Sequence, residues 1–474
     1  MKPDVSITCL LITVGALLWC PGPAAAAQRV SCAAVTNVRD AAQCIGSTPA
    51  LPVQELKHDH IYTLPELIDL AESNSPEGRI AWTRAKMSLE QAGIARASYL
   101  PVLAFAAQGS DVRAIVPFPK PLAPRGYVTV EQPVAAAQME LEYTLLNFAR
   151  GPKLEAAKAT ELAGALTLSR TQQQIAYNVA ALYYREQLEA GRLAAAKTIL
   201  QDAETLRDNA QSQFDNGRTT LPDLQNAQAG VAEARFSLAA AEGAVKKAKI
   251  ALTEAVGVEP SVEIELPVQA DDVSSDVVDS KVEELIQAAW SSRPDLLARA
   301  QALKRAQQNT RVAHAAYLPS ARLAGTGGQT ATWPTADFGQ LGYANVTTWS
   351  AALSLKWEIF NGARKHEVAA TLAEQRAAAE EQRATKDRVT REVWQSYVDY
   401  QTAEEQQKAA QSFLASSQIS YDSSLDAFRY GVRSLVDVVQ AEKQLAQARL
   451  AVVDANAQVA LSAAALNFAV GARP

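Results

Sequence analysis

The chain has 474 residues, 45 of them basic and 51 acidic, for a net charge of −6. That length supports two or three domains rather than one core, and the absence of a basic stripe argues against nucleic-acid binding. Ala, Gln, Glu, Leu and Arg dominate the middle and end, a composition suited to long helices.

Residues 1–27 read as a secretory signal peptide: Lys2 at the positive end, an apolar core over 5–19, and small residues that suit cleavage near Ala26 or Ala27. The apolar core is too short to span a bilayer, and no run of ~18 apolar residues follows. The exported chain is therefore expected not to cross a membrane as a hydrophobic helix. Cys9 and Cys20 fall in the signal. Cys32 and Cys44 remain in an N-terminal exported segment, 28–60, where an oxidising compartment permits a disulfide between them. Two unpaired thiols are the competing reading. Trp19 and Arg29 stand where lipidation signals at Cys20 and Cys32 would want other residues.

An internal repeat organises the rest. Residues 66–101 align with 284–319 at a constant offset of 218: Glu66-Leu67-Ile68 with Glu284-Leu285-Ile286, Pro76 with Pro294, and Tyr99-Leu100-Pro101 with Tyr317-Leu318-Pro319. Further on the offset is 214, matching Asn147 with Asn361, Arg150 with Arg364, Gly217 with Gly431 and Asp223 with Asp437. The change falls in Pro- and Gly-rich segments, where loops absorb length. The repeats are placed at 61–258 and 281–471, with a linker at 259–280 and a short end at 472–474.

Each copy carries the same expected elements in order. A helix over 64–98, or 281–316, ends at Tyr-Leu-Pro, because the residue before proline is pushed out of helical geometry. Two strands follow, at 102–112 and 134–146, then at 320–330 and 347–359. The second of each pair alternates apolar and polar residues, as in Met139, Leu141 and Tyr143 against Glu140 and Glu142. Such period-two alternation marks a half-buried strand; the first strands alternate poorly. Long helices over 152–215 and 364–429 would each extend about 100 Å. Return helices over 221–256 and 435–470 stop at Gly257 and Gly471, glycine being the common C-terminal cap. The hairpin tips fall at 215–222 and 429–436. Ala-rich surfaces with Leu and Val spaced three and four apart, as in Leu238, Ala241 and Val245 or Leu445, Ala448 and Val452, suit close antiparallel, coiled-coil-like packing.

Four strands cannot close a barrel, and an open edge in lipid costs several kcal/mol per unsatisfied backbone group. Their length of ~10 residues and the outward aromatics Tyr143, Trp349 and Trp357 suit an outer-membrane barrel. Closure then needs several chains. The duplicated unit, the starts Leu-Pro-Glu-Leu-Ile and Val-Glu-Glu-Leu-Ile, the two Tyr-Leu-Pro motifs, Phe-Asn-Gly-Ala-Arg at 360–364 and the tip Tyr-Gly-Val-Arg-Ser-Leu-Val-Asp together resemble TolC-type outer-membrane efflux proteins over residues 61–471. In the first copy, Asn147-Phe148-Ala149-Arg150-Gly151 displaces the glycine.

The resemblance implies a mainly α fold with a small β-barrel part. Three chains would form a twelve-stranded outer-membrane barrel continued by a periplasmic α-helical tunnel. It also implies a passive, gated duct whose partners are further copies of itself, a periplasmic adaptor (membrane fusion) protein, an inner-membrane pump of RND, ABC or MFS type, and outer-membrane lipid. The alternative is a periplasmic coiled-coil adaptor or scaffold with no pore.

Gly217 and Gly431 supply the positive φ that tight helix turns want. Thr219, Thr220 and Leu221 in one tip, and Val432, Ser434 and Leu435 in the other, are candidate adaptor contacts. Asp223 and Asp437 read either as first-turn carboxylates favoured by the helix dipole, at ~0.3–1 kcal/mol, or as gate residues. In a trimer Asp437 would form an acidic ring of the kind that attracts cations, and Gln440 leaves any second ring uncharged. Arg433 could lock the tip against Asp223, or be a solvated surface arginine. Glu140, Glu142, Lys356 and Glu358 are expected to line the lumen. His58 and His60 lack the further ligands that a metal site requires. No nucleophile triad, zinc spacing or phosphate loop appears, so neither an enzyme nor a cofactor is expected.

Overall fold

The computed structural model describes residues 60–120, 123–259, 264–267 and 281–472. The signal peptide, the Cys32–Cys44 pair, His58 and most of the linker lie outside the described residues. Within the linker, Ile264 is buried, and Ile61 and Glu265 form a parallel bridge.

Each copy opens with two helices rather than one: α1 (Leu64–Asn74) and α2 (Pro76–Ala97), then α5 (Val282–Ser292) and α6 (Pro294–Ala315). The single helices expected over 64–98 and 281–316 are corrected at the same place in both repeats. Pro76 and Pro294 hold the first helical position, and Ser75 and Arg293 before them take ψ of 125° and 119°. A residue preceding proline is disfavoured in the α region, and the broken turn lets each short helix pivot inward.

The strands are β1 (Val102–Pro117), β2 (Tyr127–Leu146), β3 (Ser320–Thr332) and β6 (Ala344–Lys356), with two-residue β4 (Thr335–Ala336) and β5 (Gly339–Gln340) between the last two. β1, β2 and β3 run past the expected bounds, whereas β6 is shifted toward the loop: it starts before 347 and stops at Lys356, leaving Trp357 and Ile359 beyond it. All pairs are antiparallel: β1 with β2, β2 with β3, β3 with β6. One sheet therefore spans both repeats, and the seam between them is β2–β3. Gly328 shows why the β3 pattern is faint. A Cβ there would sit 2.2 Å from the Ala137 carbonyl oxygen, so the backbones approach too closely for a side chain.

Below the sheet run two hairpins, α3 (Arg150–Asp215) with α4 (Leu221–Val256), and α7 (Ala363–Arg429) with α8 (Leu435–Val470). At 66 and 67 residues, α3 and α7 are each about 100 Å long. The cores are strung along these hairpins. Near the middle, Leu67, Ile68 and Ile264 pack on Val179, Tyr183 and Leu252, while Leu285 and Ile286 pack on Val389, Val393 and Leu466. Near the tips, Leu206 and Leu224 meet Leu425, Phe428 and Leu435. Among the described helices, α8 alone is long and apolar enough to cross a membrane by composition. Its apolar residues Val438, Leu445 and Leu466 are instead buried within the bundle.

Candidate functional site

Both tips are built by the same local chemistry. Gly217 and Gly431 take φ of 67° and 74°. In the first tip the Gly217 N–H donates to the Phe214 carbonyl and Arg218 N–H to Gln213, each at 2.8 Å. In the second, Gly431 and Val432 N–H donate to Phe428 and Ala427, again at 2.8 Å. These paired bonds satisfy the last carbonyls of the long helices as a Schellman cap does. Each return helix then starts with a capping box, Thr220 with Asp223 and Ser434 with Asp437.

Asp223 and Asp437 therefore have a capping role. Oδ2 of Asp223 accepts from the Thr220 hydroxyl at 2.6 Å and its N–H at 3.2 Å, and from the Thr219 hydroxyl at 3.1 Å. Oδ2 of Asp437 accepts from the Ser434 hydroxyl at 2.8 Å and its N–H at 3.3 Å. The hydroxyl and amide bonds from Thr220 hold the Asp223 carboxyl below its ordinary range. A depressed carboxylate contributes stability that is complete above the unfolded pKa, near 3.9, and is lost as pH falls through the folded value. Amide exchange across 216–224 is expected to accelerate as pH drops below about 4, once intrinsic exchange rates are corrected for. Asp223→Asn should remove that acid dependence, and an unchanged profile in the variant would refute the assignment.

Two expectations at the tip change. Leu435, expected to be an exposed docking contact, is 4% exposed and sits in the core between the hairpins, whereas its repeat partner Leu221 is 55% exposed. The exposed apolar residues of the second tip are Tyr430, Val432 and Val436. Arg433 does not lock onto Asp223 in this chain: its Nη1 donates to the Ser424 hydroxyl at 2.9 Å, while Asp223 is held within its own cap. Gln440 is exposed three residues beyond Asp437.

The sheet separates two faces. The register puts Gln138, Glu140, Glu142 and Thr144 on the same side as Arg322, Thr326, Ser350, Ser354 and Lys356. Glu142 and Arg322 pair at 2.8 Å, and Thr326 and Ser350 hydroxyls meet at 2.9 Å. The other side carries Leu103, Phe105, Met139, Leu141, Trp349, Leu353 and Leu355, all exposed. An exposed apolar patch of this extent marks a surface that meets something other than water. Glu358 lies past the end of β6, where its carboxylate accepts from Arg364 Nη2 at 2.7 Å.

That bond belongs to a junction found in both copies. Asn147 Oδ1 accepts from Ala149 N–H and Asn361 Oδ1 from Ala363 N–H, both at 3.0 Å. Arg150 donates to the Thr144 carbonyl at 2.9 Å and Arg364 to the Glu358 carbonyl at 2.6 Å. Arg150 lies over the Tyr99 ring and Arg364 over the Tyr317 ring. The displaced glycine of the first copy therefore leaves the strand-to-helix turn intact.

Between sheet and tips lies a charged cluster that the motif reading missed. Arg293, with 2% of its side chain exposed, bonds Asp295 at 2.7 Å, Glu392 at 2.7 Å and the Ala469 carbonyl at 3.0 Å. Burial alone would raise Asp295; the Arg293 guanidinium outweighs it and holds the carboxyl below its ordinary range. Arg170 packs 3.7 Å above the Phe468 ring and donates to that residue's carbonyl. Burial, then the Arg293 charge, pull it down to about 10. The available signal was Arg293-Pro294-Asp295 at a repeat position where the first copy has Ser75-Pro76-Glu77. Among the described residues no acidic, His or Cys group has the makings of a metal site; His60 lies 3.3 Å from Glu66.

Known proteins share this arrangement. The family model described as "Outer membrane efflux protein" matches residues 67–258 and 285–472. Protein CyaE of Bordetella pertussis is 28% identical over 428 residues, covering 86% of this chain and 84% of its own. The cation efflux system protein CusC of Escherichia coli K12 is 28% identical over 287 residues, covering 59% of this chain and 60% of its own. In structure, the outer membrane protein VceC of Vibrio cholerae superposes with a TM-score of 0.72 at 18% identity, over 86% of this chain and 96% of its own. The open-state outer membrane channel MtrE of Neisseria gonorrhoeae does so at 0.69 and 21%, over 86% and 89%. With the family matched twice along the chain, on the two repeats that build one sheet and two hairpins, the chain belongs to the outer membrane efflux proteins, the TolC-type channels of the bacterial outer membrane.

Proposed function

We propose that this chain is the exit duct of a tripartite export machine, passive in itself and powered by an inner-membrane pump. The observation that carries the reading is the sheet. It has one apolar and one polar face, and among the described residues β1 and β6 each pair along one edge only. In hydrocarbon such edges must be satisfied, which only closure achieves. β1 and β6 run in opposite directions, so β6 of one copy can pair antiparallel with β1 of the next. Three copies would supply twelve long strands, an even number as bacterial barrels have. Glu140, Glu142 and Lys356 then line the lumen, and the hairpins continue it as a periplasmic tunnel.

At the far end the exposed Tyr430, Val432, Val436 and Leu221 offer apolar contacts to a periplasmic adaptor, with Thr219, Thr220, Gly217, Gly431 and Ser434 shaping the turns. The pump behind it is of RND, ABC or MFS type. The relatives' names range from a cation efflux system to an antibiotic efflux pump, so the shared frame does not choose the cargo. Asp437, exposed beside the tip, would form the acidic ring of the aperture.

Purified protein in planar bilayers should give discrete, cation-preferring conductance steps. Asp437→Asn should shift the reversal potential in a salt gradient toward zero. A reconstituted, correctly folded protein with no conductance would end the duct reading; conductance with unchanged selectivity would remove the Asp437 ring alone.

A further inference from the structure

The wall between the hairpins contains a cavity well removed from the sheet. Helices α3, α4 and α8 line a half-open cavity of about 430 Å³, within the ~300–1,000 Å³ of pockets that hold drug-sized molecules. Its walls are apolar, with Ile199, Ala203 and Leu206 from α3, Ala234 from α4, and Val439 and Leu450 from α8. Its charged lining is Glu233, Glu442 and Asp454 against Arg192 and Lys443, one carboxylate in excess. Arg192 is occupied by Asp454 at 2.8 Å and Glu189 at 3.2 Å. Arg449 is taken by Asp202. Glu442 is partly buried, and among the described residues it has neither a hydrogen bond nor an ion pair. The Glu442 carboxylate is only partly withdrawn from water, and the described residues supply no partner charge at bonding distance.

We propose that this cavity binds a small organic monocation with an apolar body, the body lying against α3 and α4 and the cationic group on Glu442. An anion would meet the excess carboxylate, and a neutral apolar molecule would leave Glu442 unpaired. The site sits in the wall of the bundle, apart from Asp437, and uses residues of a single chain. It therefore stands or falls independently of the duct reading.

Protonation gives the site a signature. Burial, then Asp202 and Glu233, push the Glu442 carboxyl up to about 7, against the pull of Lys443 and Arg449. The remaining charged or titratable neighbours are Arg192, Asp454 and, on α7, Tyr421. Only the ionised carboxylate attracts a cation, so affinity rises with pH through this range.

The test is fluorescence anisotropy of rhodamine 6G, a hydrophobic cation of fixed charge, titrated with the purified full-length protein. Nile red serves as the neutral comparator. Binding should tighten about tenfold from pH 6 to pH 8, as the ionised fraction of such a carboxyl grows. Glu442→Gln should weaken it about tenfold or more at pH 8, as expected for loss of a charge-assisted partner, and flatten the pH profile, with nile red unaffected. Gly230→Leu provides a second probe, because Gly230 lines the cavity and a Cβ there meets nothing within 4 Å, so the larger side chain projects into the space the ligand body would occupy. It should abolish saturable rhodamine binding. Equal affinity in wild type and Glu442→Gln, or binding that survives Gly230→Leu, would overturn the proposal. If Glu442→Gln fails to fold, the Gly230→Leu result alone decides.

Discussion

Arg293→Ala is expected to lower the unfolding free energy by about 3 kcal/mol, the low end for breaking a buried ion pair. The guanidinium is nearly sealed from water, and it bridges Asp295 on α6, Glu392 on α7 and the Ala469 carbonyl on α8. Removing it leaves a carboxylate and a helix-end carbonyl without their donor. It also opens space beside Gly471, whose added Cβ would approach Arg293 Cγ to 2.9 Å. Arg293→Lys should recover only part of the loss, since a single ammonium cannot grip both oxygens of Asp295. Chemical denaturation of the purified protein measures this. The acid limb offers a second check. Asp295 has a depressed folded pKa, so its contribution is complete above the unfolded value near 3.9 and fades as pH falls through the folded one. Wild type should lose more stability on acidification than Arg293→Ala. Parallel acid limbs, or a loss under about 1 kcal/mol, would show that the cluster contributes little.

Leu353→Arg and Ser354→Arg place one cation on opposite faces of β6. Leu353 belongs to the apolar face and Ser354 to the polar face that holds Glu142 and Arg322. A cation facing mid-bilayer lipid costs ~2–4 kcal/mol, whereas lumen substitutions are tolerated and tune selectivity. Leu353→Arg is expected to deplete the protein from the outer-membrane fraction severalfold, and Ser354→Arg to leave its level within about twofold. The reverse order would turn the sheet inside out and refute the lumen assignments of Glu140, Glu142 and Lys356.

What could be read from residues alone was what local chemistry decides. Gly217 and Gly431, with Thr220 and Ser434 three residues before an aspartate, determine both tips without reference to the rest of the fold. The alternation in β2 and β6 is visible because each sets an apolar face against a polar one. In β3 it is muted because the close approach at Gly328 selects for absence of a side chain. The break at Ser75 and Arg293 was signalled by proline but masked by helical composition on both sides. Leu221 and Leu435 mark the limit of repeat logic. They occupy one position in two copies, yet only Leu435 turns into the core, because its exposure depends on how one hairpin is rotated against the other. Arg293 and Glu442 were hidden for the same reason: their surroundings come from helices far away in sequence.

The β2–β3 seam also dictates an order of events during biogenesis. β1 finds β2 across a short loop, and β3 finds β6 nearly as locally, but Val134 meets Thr332 only after both helices of the first hairpin have been made. Pairing between such distant segments is slow to form. Until then the first strand pair has left the cytoplasm with its apolar side uncovered and an edge unsatisfied, a template for pairing with another unfinished chain. Safe delivery to the membrane thus depends on keeping newly exported chains apart for the time it takes the second half to arrive.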